Sequence, residues 1–514
     1  MHNFKYFYII TKTITLKLKL NMNAVTALIN TDFGNPDGLY DYKLENYFLD
    51  QKYWENIINK PTYFVIGRKG TGKSAIYNWI FKKQATKKII ISNLSFKTFP
   101  FEKLLKLSDD DFTRPNQYQS IWKNIILSEF AKQIIFDDTT EVTESYKELR
   151  KFYDFKYNRE LTDLHTQITQ HTSKTEFGLQ FNGLGPKTGS ERALTYDDGL
   201  SNITEINHRL ESLIFDVVQK NQSSYIIQFD QLDDNYTQYI DNKKYFESLI
   251  SLFKVIYALN STLQGVNENT KIIAYLRSDI YNQFSSHDPD SAKFDYHTYN
   301  LNWSIINKDD WYNPPLLQLM NIRIENSIKE LKGKSSFNYI FNQKFIHLRD
   351  NNTPTDPFRY LVHRTFHRPR DVIQFCIKIK NEVESTKKLD FTTIKAAEKD
   401  YSQWLIDELK NEISPIIPAT DTLFTFLRSL GTKPFDTREF SKKFLETRNR
   451  NINKSPEALL RYLYSLGIIQ NINFTDRRTE FFSIIRNEKS NYEPKLKAVL
   501  HSGLIKGLHT FYRE

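Results

Sequence analysis

The stretch Tyr63-Phe64-Val65-Ile66-Gly67-Arg68-Lys69-Gly70-Thr71-Gly72-Lys73-Ser74-Ala75 constrains this chain more than any other. Four apolar residues of strand length run into a turn with three glycines, and amphipathic helical sequence follows over 75–83. Residues 67–74 match G-x-x-x-x-G-K-[ST] in full, between the strand and the helix that the pattern requires. The glycines let the backbone wrap with its N–H groups inward, which makes an anion nest at a helix N-terminus. In such a nest Lys73 reaches the β- and γ-phosphates of a nucleotide and the Ser74 hydroxyl binds Mg²⁺. Gly67, Gly70, Thr71, Gly72 and Ala75 complete the expected cofactor-binding set. The alternative is a chance glycine turn, which the matching strand and helix disfavour.

A second apolar strand, Tyr225-Ile226-Ile227-Gln228-Phe229, ends in Asp230-Gln231-Leu232-Asp233-Asp234. A carboxylate at a strand end beside a phosphate loop can hold the metal through water, and Asp230 suits that role. The residue after it is commonly a Glu that activates the attacking water. Here it is Gln231, so Asp233 or Asp234 must serve as base if catalysis occurs. The bland reading of Asp230 is an N-cap aspartate with solvated neighbours. A third strand, Ile272-Ile273-Ala274-Tyr275-Leu276, ends in Arg277-Ser278-Asp279. Read from the residues alone, Arg277 is a strand-terminal Arg capped by Asp279.

Short, mostly apolar strands (63–66, 89–91, 225–229, 271–276) alternate with helical sequence, the pattern of a parallel sheet covered on both faces. The four apolar residues followed by D-x-x-D-D, together with the glycine loop, resemble the STAND branch of signal-transduction ATPases. KAP-type and origin-recognition (ORC-like) AAA+ ATPases are similar in the same residues. The resemblance covers roughly residues 60–100 and 222–285, and extends more weakly to a helical lid and a C-terminal winged helix. It implies an α/β P-loop NTPase core with a Walker A loop at 67–74, a Walker B strand ending at Asp230, and ATP and Mg²⁺ as cofactors. It makes Arg277 the sensor facing the γ-phosphate. The lid would start at His367-Arg368-Pro369-Arg370-Asp371, with Pro369 packed near the base and Arg370 or Arg368 sensing phosphate. A basic helix start at a domain joint is the competing reading of those residues. Lys73 and Asp230 lie much farther apart than a minimal core needs, so the charged stretch 102–220 is expected to be a helical insertion.

The expected organisation is therefore a leader or misassigned start over 1–22, an N-terminal segment over 23–59, and an ATPase core over 60–300. A helical lid over 301–413 and a winged helix over 414–514 complete it. Three short helices (421–430, 437–448, 456–466) precede two strands (468–474, 480–486), whose connection holds Arg477 and Arg478. In a DNA-binding winged helix, Lys454 and Arg461 approach the major groove while Arg477 and Arg478 touch phosphate. Winged helices in signalling ATPases also serve as rigid arms over the nucleotide.

Charge is uneven along the 514 residues. The formal net charge is +10, residues 1–22 carry four Lys and no acid, and residues 411–514 carry 17 Lys and Arg against 11 Asp and Glu. A basic C-terminal region permits DNA contact but is also an ordinary solvated surface. The single cysteine, Cys376, excludes a disulfide framework and any zinc finger, and fits a reducing cytoplasm. No apolar run reaches the roughly 18 residues of a membrane helix, so no membrane partner is expected.

Three functions compete. One is an ATP-driven switch, slow in hydrolysis, that assembles as a homo-oligomer or with an effector protein encoded nearby. For such bacterial ATPases the resemblance extends to antiphage defence. The second is an ORC-like ATPase that binds DNA non-specifically in loading, remodelling or repair. The third is a scaffold that binds ATP without turning it over, which Gln231 keeps open.

Overall fold

The computed structural model describes residues 22–84, 88–97, 101–105, 116–157, 196–235, 242–284, 289–305, 311–333, 335–341, 356–447, 451–475 and 478–509. The chain divides into two units. One comprises Asp50–Lys69 and Lys73–Leu301, the other Met1–Leu49, Gly70–Gly72 and Asn302–Glu514. The N-terminal segment read from the sequence as one piece thus divides after Leu49.

In the first unit, β1 (Phe64–Gly67), β2 (Ile89–Ser95), β3 (Ser224–Asp230), β4 (Lys271–Arg277) and β5 (Thr298–Asn300) pair in the order β2-β3-β4-β1-β5. Every pairing is parallel. β1, β3 and β4 are buried along their whole length. Burial on both faces is why they read as mostly apolar runs rather than alternating ones. The longer helices among the described residues of this unit are α1 (Lys73–Lys83), α2 (Gln119–Ile135), α3 (Glu144–Tyr157), α4 (Tyr196–Lys220) and α5 (Asn242–Val266). Parallel strands and helices of this kind fit an α/β P-loop NTPase.

α2 buries nearly its whole circumference, and the Gln133 amide donates to the Ile226 carbonyl oxygen of β3 at 2.8 Å. β1 begins only opposite Ala274, so the first residues of β4 need other partners on that side. The Asn260 side chain of α5 supplies them, donating to Ile272 O and accepting from Ile272 N–H, both at 2.8 Å. A buried backbone pair that lacked this amide would cost about a hydrogen bond each. Lys271 Nζ donates to Lys60 O at 2.8 Å and to Ile58 O, and burial pushes its pKa down to about 8.

Among the described residues, Lys243–Val266 is long and apolar enough to cross a membrane by length and composition. Leu249, Leu252, Phe253 and Ile256 are fully buried within the unit, as in the core helix of a globular protein.

The second unit holds a helix at Ala24–Asn30, then α6 (Pro315–Ser327), α7 (Pro357–Val362), α8 (Pro369–Thr386) and α9 (Phe391–Ile413). α10 (Thr420–Leu430), α11 (Thr437–Glu446) and α12 (Pro456–Ser465) follow. Their starts are legible locally. α7, α8 and α12 begin with proline, which needs no amide partner in a first turn. Asp436 and Glu439 form a reciprocal capping box on α11. β6 (Ile469–Thr475), β7 (Arg478–Phe482) and β8 (Lys497–Leu500) then make an antiparallel sheet in the order β7-β6-β8. β8 adds a third strand to the two read from the sequence. The segment after β8 returns to α9, where Glu398 accepts from Arg364 Nε (2.7 Å), Lys506 Nζ (2.6 Å) and the Tyr360 hydroxyl (2.6 Å).

Candidate functional site

β1 delivers the chain into the glycine turn, and α1 starts at Lys73 immediately after it. Gly70 and Gly72 take φ of +81° and +99°, a backbone region costly for residues with a Cβ. The opening turn of α1 has amides with no intrahelical partner, which suits an anion. Lys73 is buried, and its Nζ donates to the turn's own carbonyls, Gly67 O at 2.9 Å and Arg68 O at 3.2 Å. Burial lowers its pKa, opposed by the carboxylates of Asp233 and Asp230.

At the end of β3, Asp230 is 2% exposed and Oδ2 has no hydrogen-bond partner. Burial raises its pKa to about 6, although the Ser74 hydroxyl, the Gln231 N–H and the charge of Lys73 all favour the ionised form. An unsatisfied carboxylate oxygen beside a serine hydroxyl fits a hydrated divalent cation, which supplies positive charge against phosphate oxygens. Among the described residues no group of three or more His, Cys, Asp or Glu could hold a metal by itself. Asp230 and Ser74 would therefore share the ion with water and phosphate oxygens.

The neighbours of Asp230 are arranged tightly. Gln231 has φ of +61°, and the Ser95 hydroxyl at the end of β2 donates to its Oε1. Ser95 is a residue that sequence reading missed, since only the register Ser95↔Asp230 brings the two strand ends together. β4 lies between β3 and β1, so Arg277 stands at the same edge. It pairs with Asp279 (Nε to Oδ1 3.0 Å, Nη2 to Oδ2 2.7 Å), and its Nη1 is 3.7 Å from Asp233 Oδ2. Arg277 is thus capped by Asp279 in this structure. The Asp234 side chain lies outside the described residues.

In the second unit, Trp303 Nε1 donates to Thr71 O at 2.9 Å, and the Arg370 N–H is 3.4 Å from Gly70 O. A Cβ on Gly70 would lie 3.2 Å from Arg370 Cβ, a second reason for glycine there. Pro369 opens α8 and is buried. Lys454 Nζ sits 5.2 Å from the centre of the Tyr462 ring, and Arg461 is exposed on α12. Arg477 and the side chain of Arg478 lie outside the described residues.

Comparison with known proteins adds partial matches. Residues 314–410 match the family described as the FunZ-associated C-terminal helical domain. The chain is 22% identical over 513 residues to an 80.3 kDa protein of Escherichia coli (strain K12) assigned by name to transposon gamma-delta. That match takes in 91% of this chain and 66% of the relative, just under two thirds of its length. The Aeropyrum pernix ORC1 protein, solved in complex with DNA, aligns at 10% identity and TM-score 0.34, over 92% of this chain and 96% of that one. The A. pernix ORC2 protein aligns at 10% identity and TM-score 0.29, over 89% and 93%. Scores of this size do not establish a shared fold.

Proposed function

We propose that the chain binds ATP–Mg²⁺ on residues 67–74 and works as a slowly hydrolysing molecular switch. One observation carries this reading: Asp230 Oδ2, buried and unpartnered, lies on the carboxylate that the Ser74 hydroxyl bonds, with the charge of Lys73 nearby. Evolution of a soluble core does not retain an unsatisfied buried carboxylate for stability, because it is costly. A metal-bound triphosphate removes that cost. In this reading Lys73 exchanges the carbonyls of Gly67 and Arg68 for phosphate oxygens. Asp230 and Ser74 hold the ion, Asp233 or Asp234 takes the proton of the attacking water, and Arg277 answers to the γ-phosphate. The segments 301–413 and 414–514 then act as lid and winged-helix arm. Nucleotide state governs assembly with further copies or with an effector protein, in the cytoplasm and in an antiphage setting.

The test is nucleotide titration of the parent and of Lys73→Ala. Binding that is lost in the folded variant supports the reading; retained affinity overturns it.

A second reading has its own support. The relative's name associates it with a transposon, a DNA element, and Arg438, Lys442 and Arg461 are exposed on α11 and α12. In that reading the winged helix grips duplex non-specifically through Lys454, Arg461, Arg477 and Arg478. Each neutralised phosphate then adds about 0.9 to the log–log salt slope. A flat salt response at low ionic strength rules it out.

A further inference from the structure

Four basic side chains of the second unit, Arg359, His363, Arg364 and Arg486, crowd together. Arg359 lies on α7 and His363 caps its C-terminus one turn later, so both reach Trp311. The Arg359 guanidinium carbon is 5.0 Å from the centre of the Trp311 ring. The His363 ring centre is 5.2 Å from it, tilted by 36°. Arg486, in the turn after β7, is the charge that His363 feels most strongly, ahead of Arg364 and Arg359. Crowding by protein and then these three charges hold the His363 pKa down to about 4, so the imidazole is neutral at pH 7. The residue still opens to solvent, and Arg359 and Arg486 are partly exposed beside it.

The cluster is short of countercharge. Arg364 is committed, since its Nε donates to Glu398 Oε1 at 2.7 Å, and Lys506 claims the same carboxylate at 2.6 Å. Asp356 accepts from the Arg359 backbone N–H at 3.0 Å as the N-cap of α7. Among the described residues, no carboxylate pairs with the guanidinium of Arg359 or of Arg486. Each rests on an aromatic ring instead, Trp311 for the first and Phe481, at 5.8 Å, for the second. Burial lowers the Arg486 pKa with no acid to oppose it. A guanidinium that gives up water without gaining an anion is costly. The backbone nevertheless holds both groups in place: Ser502 Oγ donates to His363 O and Ser304 Oγ to Ile485 O, each at 2.6 Å.

We propose that Arg359, His363 and Arg486 form a binding site for a phosphate group on the second unit. The proposal stands without the ATP-site reading, because it uses none of residues 67–74. A guanidinium fork matches two phosphate oxygens, and a tetrahedral anion has enough oxygens to serve two forks at once. The neutral imidazole adds one N–H donor. Stacking on aromatic rings already orders the arginine stems, which lowers the cost of holding them on a ligand. The phosphate can be free or belong to a nucleic-acid strand. For a strand, Tyr312, 71% exposed beside Trp311, offers a face to a base.

The test titrates inorganic phosphate into the full chain carrying Lys73→Ala, which keeps the glycine turn out of the measurement, and follows heat and melting temperature. The same protein with Arg359→Gln/Arg486→Gln is compared, and Arg486→Gln alone serves as a milder variant. Lys388→Gln/Lys399→Gln removes equal charge from exposed positions of the same unit. Phosphate should bind the Lys73→Ala protein and raise its melting temperature. Binding should weaken roughly ten- to hundredfold in the double arginine variant, partly in Arg486→Gln, and not in the lysine control. Without phosphate the double variant should melt no lower than its parent, since it loses a repulsion rather than an ion pair. Absent phosphate binding, undiminished binding in the arginine variants, or an equal loss in the lysine control overturns the site. A parallel titration with labelled oligo(dT) identifies the source once phosphate binding has passed these tests. Oligo(dT) affinity that falls with the arginine substitutions alone assigns the site to a strand, and unchanged affinity assigns it to a free phosphorylated compound.

Discussion

Arg277 clasps Asp279 through two parallel hydrogen bonds, 3.0 and 2.7 Å long, at the C-terminal end of β4. The pair spans two consecutive elements, because Asp279 lies in the short helical turn that follows the strand. Removing Asp279 leaves a guanidinium that is 8% exposed with Asp233 at 3.7 Å.

Asp279→Asn should therefore lower stability by about 1–3 kcal/mol, the cost of a buried charge that loses its partner. Urea unfolding at neutral pH measures it. Burial raises the Asp279 pKa, but Arg277 outweighs that and holds it below the usual value. The contribution is therefore present above the unfolded carboxylate pKa and disappears as pH falls through the lower folded one.

Asp230 behaves in the opposite sense. Its folded pKa of about 6 exceeds the ordinary 3.8, so the native state binds a proton more tightly than the unfolded chain. Stability of the nucleotide-free protein should fall as pH rises from about 4 to 6, by about 3 kcal/mol in all. Asp230→Asn should remove that slope and raise melting temperature above pH 6. A parent stability that is flat across this range would contradict the buried, unpartnered carboxylate.

Asp233→Asn separates chemistry from binding. If Asp233 takes the proton of water, the hydrolysis rate should drop roughly 10²–10⁴-fold with ATP affinity nearly unchanged. A parental rate assigns the base to Asp234 or to another residue.

Glu398 is the hub between α9 and the segment after β8. Glu398→Gln leaves Arg364 and Lys506 without their common carboxylate, and should cost about 3 kcal/mol in thermal or denaturant unfolding. A loss under about 0.5 kcal/mol would mean that water replaces the carboxylate.

The parallel sheet was legible because its central strands are short, mostly apolar and followed by distinctive turns. β5 was not, since Thr298-Tyr299-Asn300 is too short and polar to stand out. β8 hides for a similar reason, as Lys497-Ala498-Val499-Leu500 alternates in burial over only four residues. At the candidate site, Lys73, Ser74 and Asp230 are announced by local pattern. Ser95 is not, because it reaches the site only through Gln231, a partner far away in sequence. Pattern carries local chemistry well; it does not carry register or tertiary ion pairs.

The strand order has a consequence for synthesis on the ribosome. β1 is flanked by β4 and β5, both encoded beyond residue 270. After Phe64–Gly67 leaves the exit tunnel, roughly 200 more residues must be polymerised before either neighbour exists, about 10–40 s at ordinary elongation rates. For that interval the strand that carries the phosphate turn has two bare edges of apolar sequence. The nascent chain is then most exposed to aggregation and most in need of a holding chaperone, and slow codons placed between residues 67 and 271 would lengthen that exposure.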